Sequence, residues 1–326
     1  MREVAFIKQN KEKWLEVERV INGKDKKNPD DLSSMYINLI NDLSFAQTYY
    51  PKSNTTVYLN YLSSRIYQNI YKTKRAEKNK LVEFFKTEVP LTIYQYRRYL
   101  IYAFALFTIF VSFGVISSIY DKEFANLILG DGYVNMTIEN IEKNNEMGVY
   151  QQGSSWGMSF LIILNNLKVG ATLFLLGIFG GIGTVWSLFR NSVMLGTFQY
   201  FFAERHALLD SARGIWLHGT FEIFAMVIEA MAGLILGASI LFPKTRSRLD
   251  SFKVGFRDSF KIFASTIPFT IVAGLIEGYL TRHALKLPLF VNGIIIFGCL
   301  FILVYYYIIY PYRVHKKAKN TYAAIL

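Results

Sequence analysis

Three ionisable residues stand where an apolar sequence normally excludes them. His218, Glu222 and Glu229 interrupt the stretch IWLHGTFEIFAMVIEAMAGLILGASILF, residues 215–242. Their spacing of i, i+4 and i+11 puts all three within roughly 40° of one another on a helix of about 3.6 residues per turn. A fourth, Glu277, lies in the next apolar stretch, about a turn before Thr281. Ionisable groups in hydrocarbon are costly and normally face the inside of a helix bundle, so this stripe is where function is first sought. Three chemistries suit it. The carboxyls could bond to neighbouring helices and fix their packing; they could carry or bind protons, cations or a small polar solute; or His218 and Glu222 could ligate a metal from i, i+4. The metal reading lacks an HExxH motif, and the chain has only 4 His, so no metal and no cofactor are expected. His206, Arg213 and Arg282 would stand at the rim of the stripe as counter-charges. Neither a Ser-His-Asp set nor a kinase-like set is present. GIFGGIGT at 177–184 is a phosphate loop only superficially, because no Lys follows it and it sits in an apolar run. The chain therefore reads as non-enzymatic.

The elements that must hold the stripe are membrane helices. Of 326 residues, 52% are hydrophobic and 16% aromatic, and the mean hydropathy is +0.24. This average hides a split between a polar, charged region 1–97 and a remainder rich in long apolar runs. No signal peptide is expected, since the first long apolar run begins near Tyr99. A net charge of +12 would suggest nucleic acid for a soluble chain; here it reads as the cytoplasmic excess of Lys and Arg in membrane proteins. The single cysteine, Cys299, rules out an intrachain disulfide or a thiolate metal cluster.

Residues 1–97 are expected to form a soluble cytoplasmic domain of three or four helices. The first covers Glu3 to Ile21. The second is capped by Asp30 or Asp31 and ends near Tyr49, and the third starts at Asn54 or Thr55; a further charged helix is expected around 77–86. In the transmembrane domain, 98–326, spans are expected at 99–120, 169–189, 215–242, 262–281 and 289–310. A short sixth crosses at 192–208 or forms a re-entrant half-helix. Residues 121–166 make an acidic outer loop, with a short interfacial helix near Trp156 to Leu164. An interfacial amphipathic helix occupies about 248–262, where Leu249, Phe252, Phe256 and Phe260 recur among basic residues. Crossing of the short segment places every basic loop, and both termini, in the cytoplasm. The pairs Gly177 and Gly181, Gly233 and Gly237, and Gly274 and Gly278 read as GxxxG helix-packing glycines. The expected fold is thus all-α and polytopic, with about six transmembrane helices and a soluble N-terminal helical domain.

The ordered blocks NNLKVGATLFLLGIFGGIGTVW, NSVMLG, WLHGTFEIFAMVIEAMAGLILG and IVAGLIEGYLT resemble the stage II sporulation protein M family over roughly residues 98–315. The resemblance implies a multi-pass bacterial plasma-membrane protein with His218, Gly219 and Glu222 in the family's most recognisable block and Glu277 in its second. It also implies a role as scaffold or subunit of an envelope complex, as the sporulation member serves beside cell-wall-degrading partners. The N-terminal extension departs from the short sporulation protein and looks like that of longer bacterial relatives; no residue points to sporulation itself. The expected partners are membrane lipids, other envelope proteins and a second copy of the chain, not nucleic acid. The alternative function is a transporter or channel for protons, ions or a small polar solute.

Overall fold

The computed structural model describes residues 2–23, 25, 27–71, 80–143 and 155–323, and every regular element among them is helical. The chain divides into two compact units, 1–80 and 81–326.

The first unit is three helices, α1 (Glu3–Ile21), α2 (Pro29–Tyr49) and α3 (Asn54–Tyr71). Phe6, Asn10, Trp14 and Val17 fall at four- and three-residue intervals, so α1 presents one buried stripe. This stripe packs on Leu39, Leu43 and Ala46 of α2 and Leu59, Leu62 and Ile66 of α3. The Trp14 indole donates to Asp42 Oδ2 at 2.9 Å, satisfying the one polar atom of a buried ring. Asn28, not Asp30 or Asp31, caps α2. Its side chain accepts from the Asp31 amide at 2.8 Å, and Pro29 takes the first helical position, where its missing N–H costs nothing. The charged helix expected at 77–86 begins within the described residues at Lys80; 72–79 lie outside them.

Glu3 ties α1 to the start of α3. Its carboxylate accepts from Ser53 Oγ and from Thr55 Oγ1, the latter at 2.7 Å. These two bonds, Ser53 first, hold its pKa below the ordinary glutamate value. Because the folded-state value is lowered, the link contributes fully above the unfolded glutamate range and is lost as pH falls through the folded one. Stability of the full chain's N-terminal unit against urea is therefore expected to drop on acidification by more in wild type than in Glu3→Gln. Parallel pH profiles would remove this role.

The second unit begins with α4 (Lys80–Glu83), a π turn (Phe84–Glu88) and α5 (Val89–Gln95). Residues 81–97 belong here rather than with a domain ending at 97. The C-terminal helices claim them: Tyr306 and Tyr310 donate to the carbonyls of Phe85 and Lys86 at 3.0 and 3.1 Å, and Tyr94 stacks on His315. From the basic end of the membrane helices, Lys261 meets Glu88 at 2.6 Å and Tyr96 donates to Asp258 at 3.1 Å.

Then follow α6 (Arg97–Tyr120), α7 (Phe124–Leu129), α8 (Asp131–Glu142), α9 (Ser155–Leu175), α10 (Ile182–Glu204), α11 (Leu208–Leu241), α12 (Arg248–Tyr279), α13 (Leu289–Val304) and α14 (Tyr310–Ala323). Among the described residues five helices are long and apolar enough to cross a membrane: Arg97–Tyr120, Trp156–Ile178, Leu208–Leu241, Arg248–Tyr279 and Leu289–Asn320. The expected sixth is α10, whose 23 residues would run about 34 Å but include Arg190, Asn191 and Gln199.

Three boundaries differ from the sequence reading. The second span starts at Trp156 and ends by Ile178 instead of covering 169–189, so the proposed interfacial helix at 156–164 is its first half. The chain reverses at Gly180 and Gly181, with φ of +64° and +84°, and the rest of that apolar run joins 192–204 in α10. Hydropathy alone could not mark this reversal, since the run is apolar on both sides of it. Likewise 248–262 is no separate interfacial helix but the first half of α12, capped by Ser247, with Ser251, Gly255 and Ser259 turned inward. Leu249, Phe256 and Phe260 remain on its outer side.

The centre of the unit is α11. In its most apolar stretch 67% of the residues are buried, against 11% for α6. α9 and α12 pack along it most extensively, α6 and α10 form a second close pair, and α13 covers another side. Helices α7 and α8 fold over the end of α10, where Val134 meets Phe201, Phe202 and Ala207. The close approaches are made by glycine. Gly177 lies on the Gly233 carbonyl, Gly237 on the backbone of Gly180 and Gly181, Gly274 on Ile163, and Gly114 and Gly196 on α6–α10 carbonyls. Gly181 thus packs as the start of α10, not as one half of a helical GxxxG; Gly278 is buried in α12.

Candidate functional site

Helices α9, α11 and α12 place six polar side chains in one seam. His218, Glu222 and Glu229 come from the buried face of α11, Asn166 from α9, and Thr266 and Glu277 from α12; Thr281, just after α12, makes a seventh. Helices α9 and α11 run in the same sense and α12 runs against them. Asn166, Glu222 and Glu277 therefore meet at one level, while Gly170, Glu229 and Thr266 meet further along.

At the first level the Asn166 amide donates to Glu222 Oε1, and a Glu277 carboxyl oxygen lies within 4.8 Å of one of Glu222. His218 is 4% exposed; its Nδ1 lies 2.9 Å from Thr281 Oγ1 and its Nε2 3.8 Å from Glu277 Oε1. Thr281 Oγ1 also lies 3.4 Å from the Ile276 carbonyl. The ring is thus held from its Nδ1 side, with Nε2 on the side of the carboxyls. One ligand atom from each of His218, Glu222 and Glu277 can be chosen so that all lie within 4.8 Å of one another. Among the described residues, these three form the group whose ligand atoms converge closely enough to hold a cation.

At the second level Glu229, 4% exposed, accepts from Thr266 Oγ1 at 2.8 Å. Its carboxyl fills the space in front of Gly170, where any side chain would collide with it. Each such interhelical bond in lipid is worth about 0.6–2 kcal/mol, so the seam contributes a few kcal/mol of helix association and fixes its register.

The structure brings His218, Glu222 and Glu277 together and sets Glu229 apart from them. The rim residues do not join. Arg213 turns to Asp210 and to the carbonyls of Leu285 and Leu287, at 3.2, 3.4 and 2.9 Å. His206 sits in the α10–α11 turn with φ of +58°, and the Arg282 side chain lies outside the described residues. Asn166, Thr266 and Gly170 escaped sequence reasoning. The signal for Asn166 was available, a doubled asparagine in an apolar run, but placing the span at 169 put it in a loop. Cavities of about 660, 430 and 570 Å³ lie elsewhere, beside Arg98 and Arg246, beside Leu106 and Ile182, and beside Lys168 and Arg190; the seam lines none of these three.

Fold and seam together define a polytopic α-helical membrane protein with a partly buried His/Glu cluster between its central helices. Residues 103–282, more than half of the chain and the whole of the seam, match the family described as stage II sporulation protein M, and the chain belongs to that family. Residues 4–72 match a separate model described as a domain of unknown function (DUF8413), which coincides with the three-helix unit. No curated protein and no solved structure matches the chain.

Proposed function

We propose that this protein is a non-enzymatic scaffold or subunit of an envelope complex in the bacterial plasma membrane, with both termini cytoplasmic. The observation that carries this reading is the pairing of the seam. Glu222 is held by Asn166, Glu229 by Thr266 and His218 by Thr281, each bond joining different elements of the unit. Polar groups bonded to one another across helices fix a single packing, which suits a platform better than a hydrated path. A three-helix unit with its own core supplies a second module for contacts, and the basic residues of 243–257, in the turn before α12 and in its first turns, suit the cytoplasmic side. The partners in this reading are other envelope proteins, with membrane lipids around the spans.

Cross-linking in cells, mild-detergent extraction and mass spectrometry of the tagged full chain are expected to recover a defined set of envelope proteins at fixed ratio. Deletion of 1–80 or of α7 and α8 should lose members of that set. Recovery of the chain alone after cross-linking would reject the scaffold, and labelling of a cysteine placed at 250 from the outer side would reject the orientation.

A further inference from the structure

We propose that His218, Glu222 and Glu277 bind one divalent transition-metal ion of the zinc class, which ties α11 to the end of α12. Three features of the cluster point to a cation rather than to packing alone. The first is the donor set: one imidazole nitrogen and two carboxylates suit zinc or manganese better than magnesium or calcium, which prefer oxygen alone. The second is orientation. Thr281 Oγ1 lies 2.9 Å from His218 Nδ1, which turns Nε2 toward Glu277 Oε1 at 3.8 Å. A partner on the far nitrogen is also what fixes metal-binding histidines, and Asn166 braces Glu222 in the same way. The third is charge. Two carboxylates and a neutral imidazole around a divalent ion make a site with no net charge, the cheapest state for ionisable groups in hydrocarbon.

The spacing is workable. The chosen ligand atoms lie within 4.8 Å of one another, and a tetrahedral ion with bonds of about 2.0 Å needs roughly 3.3 Å between ligands. Closing that gap takes about 1 Å of side-chain movement. His218 and Glu222 stack at i, i+4 on α11, and Glu277 arrives two residues before the end of α12. Three protein ligands leave a position for water. Glu229 stays out of the set, held by Thr266 two turns away.

This proposal does not depend on the scaffold reading, because it is read on the purified chain and not in a complex. Full-length protein, purified with a tag free of histidine, would be stripped with chelator, equilibrated with Zn²⁺ in excess Mg²⁺, gel-filtered and analysed for metal. About one zinc per chain is expected to remain in wild type and in the remote exposed variant Glu204→Gln. Less than a tenth of that should remain in His218→Gln, Glu222→Gln and Glu277→Gln, and Thr281→Val should weaken binding about tenfold. X-ray absorption of the wild type, which needs no variant to fold, should show one imidazole and otherwise oxygen around the zinc. Absence of retained zinc, retention by all three Gln variants at the wild-type level, or a site with two imidazoles or with sulfur would each overturn the proposal.

Discussion

Gly233→Val is expected to destabilise the membrane unit by on the order of 3 kcal/mol or more. A Cβ at 233 would strike the Leu173 carbonyl on α9 and Thr184 Oγ1 on α10 at once. Neither can yield. Thr184 Oγ1 is already bonded to that same carbonyl at 2.8 Å, and across the seam Gly177 rests on the carbonyl of Gly233 itself. With backbone against backbone on both sides, added volume must separate helices whose attraction in lipid is close packing. Gly219, four turns earlier on the same helix, provides the contrast. The nearest atoms to a Cβ there are Ile223 Cδ1 and Ile215 Cγ2 at 3.7 and 3.8 Å, and both are movable side-chain ends on the same helix. Gly219→Ala should therefore be neutral, or stabilising by up to about 1 kcal/mol as a helix interior loses a glycine. Reversible unfolding in mixed detergent would measure both. Wild-type stability for Gly233→Val, or equal damage from Gly219→Ala, would show that α9, α10 and α11 do not meet at this seam.

The same seam marks where a single sequence stops being legible. The all-α membrane class, the first span and the helices of residues 3–21 and 54–71 follow from local patterns of apolar and polar residues. So does the direction in which His218, Glu222 and Glu229 point, since spacing along one helix decides it. The reversal at Gly180–Gly181 does not follow, because LFLLGIFGGIGTVW is as apolar after the turn as before it. Only the sign of two φ angles separates a span with a GxxxG pair from two helices joined by a turn. Misplacing that turn shifted the start of α9 and removed Asn166 from the membrane, and the partner of Glu222 went with it. The continuation of α12 through 248–262 was hidden for a related reason. Its inward face is Ser251, Gly255 and Ser259, small polar residues that carry no hydrophobic signal yet let α12 lie close to Ser239 of α11. The contact of Glu277 with His218 depends on packing between two helices, which spacing within either one cannot report.

Gly170 and Glu229 are expected to be energetically coupled by about 1 kcal/mol or more, and the sign of that coupling tests what Glu229 is for. In Gly170→Ala the new methyl would occupy the space now filled by the Glu229 carboxyl. The carboxyl would have to swing away from Thr266 Oγ1, breaking a buried bond of 2.8 Å. Leaving such a pair unsatisfied costs about 1–3 kcal/mol. Glu229→Ala by itself loses the same bond and opens a void on α11. Once Glu229 is alanine, however, the methyl at 170 has space to enter, so the double variant should be more stable than the sum of its parts. Glu229→Gln should behave almost as wild type, because an amide oxygen still accepts from Thr266. A carboxyl working as an ion or proton site would give the opposite pattern. It would relax into water when Gly170 is filled, the coupling would fall to zero, and Glu229→Gln would abolish flux into reconstituted vesicles while leaving stability intact. Unfolding free energies of the four proteins, with flux measured on the Gln variant, therefore distinguish a strut that holds α9, α11 and α12 in one packing from a residue that water must reach.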